Sequence, residues 1–250
     1  MSPVYDVSLL QLLLIGVAGL TTAVIGGVAG YGTGALMPLV LVPIVGAEPV
    51  VPIIAIAAIF NNFSRATVFR NQVDWRRVPL VLLPALPTCV LGAFLYTRLD
   101  GRGALIVIGT MLVASVPLRR VLKTRGVRLG PAGLAASATG WGVLVGGTSG
   151  AGIILISMLM AAGLEGAAVI ATDAAISTVT GLLKFSVFGA SGVVTAQVLA
   201  IGLMMGIIAI PGAWLAKRLV EHLPIKVHTA ILDAMVILGG AAMLIRAVAY

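Results

Sequence analysis

Charged side chains are scarce in this chain, which has only 16 Lys and Arg and 8 Asp and Glu among its 250 residues. A water-soluble domain needs about 25% charged residues to cover its surface, so the soluble classes are excluded. Five stretches contain no ionised side chain, and several exceed the roughly 18–20 apolar residues that cross a bilayer as a helix. These stretches are 7–47, 78–97, 103–118, 129–164 and 185–216. The sequence therefore predicts a polytopic membrane protein.

Other chemistries also lack the residues they require. The single cysteine, Cys89, lies in an apolar run, which excludes an intrachain disulfide or a cysteine metal cluster. The phosphate-binding pattern Gly-x-x-x-x-Gly-Lys-Ser/Thr is missing, so ATP is not expected to power this chain directly. Residues 1–6 lack the basic start of a signal peptide, so the first apolar run is interpreted as a retained span. We expect no cofactor, no metal site and no catalytic residue.

The net charge of +8 does not indicate a nucleic-acid partner, because the basic residues lie in short gaps between apolar runs. Lys and Arg in such gaps orient a membrane protein. The gaps and the Gly and Pro turns divide the chain into segments. Predicted spans are 8–29, 50–69, 79–97, 103–118, 131–147, 167–188, 193–215 and 227–249, with short pieces at 34–45 and 152–162.

Several short motifs recur at a nearly constant distance along the chain. The segment 92–99 matches 212–219 at an offset of 120, and the turn 46–48 matches 163–165 at 117. The glycine turn 32–34 matches 150–152 at 118. The ordered recurrence of Glu and Arg within these matches indicates an internal duplication. We expect one transmembrane domain over 1–250, with repeat one at about 8–122 and repeat two at about 131–249.

The basic residues also predict how the two halves lie in the membrane. Five Lys and Arg fall within 119–128, so this gap is expected to face the cytoplasm, and parity puts 70–77 on the same side. In the second half, 189–192 is uncharged whereas 217–226 is basic. The pattern favours two homologous, inverted repeats of about four full transmembrane helices plus one short broken helix each, as in many transporters.

The paired glycine turns, 30–34 and 146–152, are the predicted binding site. Each precedes a piece only about 17 Å long at 1.5 Å per residue, well short of the hydrocarbon core. Broken helices of this kind need protein or a water-filled cavity around their exposed backbone, and their free N–H groups attract anions. The expected substrate-binding residues are Gly32, Thr33, Gly34, Thr148, Ser149, Gly150 and Gly152. Tight helix packing is the alternative explanation for the glycines.

Charges inside the membrane are expensive and therefore mark candidate functional groups. Asp173 and Asp233 lie about two turns inside their predicted helices. A carboxyl in apolar surroundings can hold a proton, so Asp173 is the candidate for proton coupling. Arg65 and Lys184 lie nearer to helix ends and are expected to extend to the interface.

Four polar residues fall at equivalent places in the two halves and could line a path for the substrate. They are Asn61, Asn62, Ser177 and Thr178. Bonding between helices explains them equally well. The stretch 147–150 also reads as the Gly-x-Ser-Gly of rhomboid intramembrane proteases, with His228 as the partner. The same turn recurs at 32–34 without a serine, so a duplicated structural element explains both copies and a protease explains only one.

Taken together, these motifs resemble the TauE/SafE sulfite exporter family (the toluene-sulfonate uptake permease family) over essentially the whole chain. The resemblance rests on the glycine turns at 30–38 and 146–152, the Gly-x-x-Pro turn at 46–49, the segment 92–99 and Asn71-Gln72-Val73-Asp74-Trp75. In the second half Gly192-Val193-Val194 replaces the Val-Asp-Trp element. The resemblance implies transport of sulfite or organosulfonates across the bacterial inner membrane.

We therefore expect a secondary transporter whose partners are a small sulfur-containing anion, protons and the lipid bilayer. An anion channel remains the first alternative. A homodimer is left open.

Overall fold

The computed structural model describes residues 7–29, 32–124, 127–220 and 225–249. Within these residues the chain forms ten α-helices and one 3-10 turn, Arg70–Gln72, and no strand. The helices are α1 Leu9–Ala29, α2 Thr33–Val45, α3 Val50–Val68, α4 Arg77–Tyr96, α5 Gly101–Thr124, α6 Pro131–Gly147, α7 Gly152–Ala161, α8 Ala167–Ala190, α9 Ala196–Val220 and α10 Ile225–Val248. The predicted all-α membrane fold is confirmed, and each predicted segment corresponds to one helix.

Six of the described helices, α1, α3, α4, α5, α8 and α9, are long and apolar enough to cross a membrane. The largest difference from the predicted boundaries is at α5, which continues to Thr124 and so includes Arg119 and Arg120. Basic side chains do not end a helix, because their long stems let the charge reach water while the backbone remains helical. α2 and α7 have only 13 and 10 residues.

Close helix packing occurs in both halves where a glycine of one half meets the first helix of the other half. A methyl group in place of the Gly92 hydrogen would lie 2.1 Å from the Val143 carbonyl oxygen of α6. At Gly212, 120 residues later, it would lie 2.8 Å from Cβ of Ala23 in α1. Val143 and Ala23 are also 120 residues apart. Small residues let helices approach closely in membranes, and here they make α4·α6 and α1·α9 matching pairs.

The directions of α2 and α7 follow from the two ends of α4. Arg77, the first residue of α4, donates a hydrogen bond to the Ala162 carbonyl oxygen, at the C-terminal end of α7. Tyr96, the last residue of α4, donates to the carbonyl oxygens of Ala47 and Glu48, just beyond the C-terminal end of α2. A 20-residue helix is about 30 Å long, so the two C-terminal ends lie far apart. α2 and α7 therefore enter from opposite sides, with their N-termini facing each other.

The longer helices show the same reversal between corresponding elements. α3 and α8 are antiparallel, because Arg65 near the end of α3 meets Asp173 near the start of α8, whereas Ile59 lies against Gly181. α9 is parallel to α3, and α4 is parallel to α8. The contacts that fix these directions are Ile56 with Gly202, Ser64 with Ile210, Asp74 with Thr172 and Tyr96 with Phe188. Hence α3 and α8 point in opposite directions, and so do α4 and α9.

Candidate functional site

The two glycine turns, which are far apart in the sequence, touch each other at the centre of the structure. The Ser149 hydroxyl donates a hydrogen bond of 2.5 Å to the Gly34 carbonyl oxygen. A methyl group on Gly34 would lie 3.1 Å from the Gly150 nitrogen, and Gly150 itself has a φ of +90°, which favours glycine. Gly30 and Tyr31, the start of the first predicted turn, lie outside the described residues.

A cavity of about 110 Å³ lies beside this contact, between the glycine turns and the facing sides of α3 and α8. One water molecule needs about 10–15 Å³ of such space, so a small anion fits with room for water. The structure brings most of the predicted site residues to its wall: Gly32, Thr33, Gly34, Asn61, Asn62, Thr148, Ser149, Gly150, Gly152, Asp173 and Ser177. Thr178 does not line the cavity. Its hydroxyl bonds to the Ala174 carbonyl oxygen of its own helix.

Arg65 and Lys184 also line the cavity, and the expectation that they extend to the membrane interface is wrong. Their exposed fractions are only 3% and 7%. The expectation counted residues from the end of α3, but Arg65 lies on the face of α3 that packs against α8, where it meets Asp173. The segment after α3 also contacts α8, since the Asp74 N–H donates to the Thr172 hydroxyl. The burial of Arg65 is therefore set by tertiary packing and not by its distance from the helix end.

Arg65 is held in a polar network that joins α3 to α8. Its Nη2 lies 3.1 Å from Oδ2 of Asp173, and its Nη1 lies 3.2 Å from Oδ1 of Asn62. The Ser177 hydroxyl lies 3.5 Å from the other carboxylate oxygen of Asp173. Both partners of the ion pair are 3% exposed. Charges buried in a membrane protein pair in this way because an isolated charge there is costly.

Lys184 differs from Arg65 because no acidic side chain among the described residues pairs with it. Its ammonium donates a 3.1 Å hydrogen bond to the Thr148 carbonyl oxygen, at the second glycine turn. An ammonium has three donors, so two remain for other acceptors. With ordinary ionisation states, Arg65, Lys184 and Asp173 give the cavity wall a net charge of +1. This wall is suited to a negatively charged ligand.

The N-termini of α2 and α7 add to this positive character. The first N–H groups of a helix have no acceptor within the helix, and the helix dipole places partial positive charge there. Thr33 and Gly152, the first residues of these helices, both line the cavity. Neither helix has a side-chain cap at this end. Two helix ends therefore point partial positive charge toward the same space as the two basic side chains.

The Val73-Asp74-Trp75 element lies away from the cavity but is connected to it. Asp74 forms an ion pair with Arg77, whose guanidinium also bonds to the Ala162 carbonyl oxygen at 2.6 Å. Burial alone would raise the pKa of Asp74, but the hydrogen bond and charge of Arg77 hold it below its usual value. Trp75 is 66% exposed. The element thus attaches the loop before α4 to the outer end of α7.

The geometry around Ser149 gives no support to the protease alternative. Its hydroxyl donates to a backbone carbonyl, and no histidine lines the cavity among the described residues. The side chain of His228, the partner considered from the sequence, lies outside the part of the chain that the structure describes.

Two basic residues of the site were missed from the sequence, although a signal for them was present. Arg65 lies three residues after Asn62, and Lys184 lies seven after Ser177. Residues at these spacings share one face of a helix. A basic side chain on the polar face of a membrane helix faces the protein interior more often than lipid.

The fold is that of a multi-pass membrane protein, and it encloses a cavity lined by Arg65, Lys184 and Asp173. The sequence matches the family described as Sulfite exporter TauE/SafE over residues 15–243. The chain therefore belongs to the TauE/SafE sulfite exporter family, a family of transporters. Comparison with curated proteins and with solved structures gave no match.

Proposed function

We propose that this protein is a secondary transporter of small sulfur-containing anions, sulfite or an organosulfonate, in the bacterial inner membrane. The observation that carries the proposal is the cavity between the opposed N-termini of α2 and α7, which is also lined by Arg65 and Lys184. Helix N-termini and cations are the groups that hold oxyanions in proteins. The family supplies the substrate class.

The proposed mechanism is alternating access around this cavity, with the two halves acting as inverted repeats. The opposed directions of α2 and α7, of α3 and α8, and of α4 and α9 support it. In inverted-repeat transporters the site lies near the midplane where broken helices meet, and one repeat rocks against the other. Repeat one would cover about 8–122 and repeat two about 131–249.

Proton coupling through Asp173 is part of the proposal. The Asp173 carboxylate holds Nη2 of Arg65 at 3.1 Å. A proton on this carboxylate would remove its charge and free that guanidinium nitrogen for a substrate oxygen. Proton binding and anion binding would then favour one another at the same site, as linkage requires.

The direct test is sulfite transport into proteoliposomes that contain the full chain and are given an imposed pH gradient. Wild-type protein is expected to accumulate sulfite above its external concentration with saturable kinetics, which a channel-like pore cannot do. Lys184→Gln should lower the initial rate at least tenfold, because it removes the cation without an acidic partner. Arg70→Gln is the matched control, since it removes one positive charge at an exposed position. A Lys184→Gln rate equal to that of the control would contradict the proposed site.

A further inference from the structure

Two buried polar atoms at the cavity lack a hydrogen-bond partner within the described part of the chain. They are Oδ1 of Asn61 and Nε of Arg65. Both residues line the cavity, and their exposed fractions are 4% and 3%. Buried polar groups in proteins are nearly always paired, so each unpaired group calls for an explanation. One of the two atoms is an acceptor and the other is a donor.

The orientation of the Asn61 side chain leaves its acceptor free. Its amide nitrogen donates a 3.2 Å hydrogen bond to the Thr33 hydroxyl at the start of α2. The carboxamide oxygen of the same side chain therefore points away from the Thr33 hydroxyl. It accepts no hydrogen bond from the described residues. An oxyanion with no hydrogen of its own has no donor for this atom. Such a ligand would give the Asn61 oxygen no hydrogen bond of its own.

The hydrogen-bond donors at the cavity, unlike the Asn61 oxygen, need acceptors on the ligand. Arg65 has a free Nε–H, and the Lys184 ammonium has one hydrogen bond, to the Thr148 carbonyl oxygen. Both groups need acceptor oxygens that carry negative charge. With Asp173 ionised, the net charge of +1 from Arg65, Lys184 and Asp173 is balanced by one negative charge on the ligand.

We propose that the site selects a singly charged oxyanion that also carries one hydrogen-bond donor. Its oxygens accept from Nε of Arg65 and Nζ of Lys184, and its own O–H or N–H donates to Oδ1 of Asn61. This deepens the proposed function, on which it rests, by naming the form of the substrate. For sulfite the form is hydrogensulfite, which carries a proton through the site on the substrate itself.

Two ligands of equal charge and similar size separate the donor requirement from anion binding. Sulfamate and methanesulfonate are both single anions, but sulfamate has an NH₂ group where methanesulfonate has CH₃. A site built to hydrogen-bond a ligand group rejects the analogue that lacks it. Calorimetry on the purified full-length chain is expected to show sulfamate binding at least about tenfold more tightly than methanesulfonate. Sulfate, a double anion without a donor, should bind more weakly than sulfamate.

Variants test whether the preference for sulfamate depends on Oδ1 of Asn61. Asn61→Leu removes the acceptor while keeping the number and branching of the side-chain heavy atoms, and it should bring the affinities for sulfamate and methanesulfonate within about twofold of each other. Thr178→Val is the matched control, because its hydroxyl bonds within α8 and it does not line the cavity. It should keep the tenfold difference.

The outcomes distinguish the inference from the function on which it rests. Equal binding of sulfamate and methanesulfonate to the wild-type chain, or tighter binding of sulfate, overturns the inference while leaving an anion site in place. Failure of all three anions to bind counts against the anion site itself. A preference for sulfamate that survives in Asn61→Leu also overturns the inference, because the acceptor would then lie elsewhere. The wild-type comparison needs no variant to fold.

Discussion

α4 and α9 occupy corresponding places in the two halves, and each packs a glycine against the first helix of the opposite half. Gly92 meets Val143, and Gly212 meets Ala23, with the same separation of 120 residues between the members of each pair. The Gly-Ala repeats in the sequence therefore mark equivalent helix crossings. At these two crossings the packing of the two halves corresponds.

The charged residues of the cavity are not duplicated in this way. At the offset of 117 that relates the two Gly-x-Glu turns, Arg65 corresponds to Leu182, Lys184 to Thr67 and Asp173 to Ile56. In the proposed mechanism, inverted repeats place two helix ends against each other, and this arrangement would serve both access directions. The single small anion proposed as substrate would need only one set of charged partners. The comparison teaches that these helix crossings recur in both halves, whereas the charged residues of the cavity occur only once.

The largest expected effect on stability comes from the Arg65–Asp173 ion pair, which has no counterpart at the equivalent positions of the other half. Asp173→Asn leaves the Arg65 guanidinium buried without a countercharge and should lower the free energy of unfolding by about 3–5 kcal/mol. Lys184→Gln removes an unpaired cation with one hydrogen bond and should cost about 1 kcal/mol. Thermal unfolding of the two variants in the same detergent measures the difference.

The double variant Arg65→Gln with Asp173→Asn is the control for that prediction. Removing both charges should recover much of the stability lost in Asp173→Asn, because no unpaired charge remains. Transport by the double variant should stay low, since the anion loses one of its two cations. Equal stability of Asp173→Asn and Lys184→Gln would contradict this prediction. The Arg65–Asp173 ion pair would then contribute no more to the free energy of unfolding than the Lys184 hydrogen bond. A transport defect in Asp173→Asn indicates proton coupling only if the variant is folded.

The sequence predicted the helices far better than it predicted where the charged side chains Arg65 and Lys184 lie. Charge-free runs separated by Gly, Pro and basic gaps set the helices, because lipid demands apolar helical spans. The paired glycine turns were predicted to form the binding site, and in the structure these two segments are in contact. The burial of Arg65 and Lys184 could not be obtained by counting from helix ends, since it depends on which face of each helix packs against its neighbours. Their helical spacing from Asn62 and Ser177 was the available signal.

The second prediction compares the two glycine crossings directly. Gly92→Ala would bring Cβ to 2.1 Å from a backbone carbonyl oxygen, which cannot move without shifting α6, so the cost should be about 3 kcal/mol. Gly212→Ala would bring Cβ to 2.8 Å from the Ala23 methyl group and 3.3 Å from its backbone, and should cost about 1 kcal/mol. Gly140→Ala is the control, because no atom lies within 4 Å of the added methyl group, and it should stabilise α6 slightly. Thermal unfolding in detergent ranks the three, and a smaller loss for Gly92→Ala than for Gly212→Ala would contradict the packing described above.

The smallest expected effects on stability concern the C-terminal ends of α2 and α7. Each end accepts a different kind of hydrogen bond from α4. At α7 the contact is the ionic hydrogen bond from Arg77, and at α2 it is the neutral hydroxyl of Tyr96. Arg77→Gln should cost about 1.5–2 kcal/mol and Tyr96→Phe about 1 kcal/mol, because hydrogen bonds from charged groups are stronger.

Only the Arg77 contact should depend on pH. The folded-state pKa of Asp74 lies below its ordinary value, so its ion pair with Arg77 contributes fully above that ordinary value, about 4, and is lost as the pH falls through the lower folded-state value. The stability difference between wild type and Arg77→Gln should therefore be constant from pH 7 to 5 and shrink below pH 4. The difference for Tyr96→Phe should stay constant over the same range, because no carboxylate supports that contact. Parallel acid dependence of the two differences would mean that the two helix ends are held alike after all.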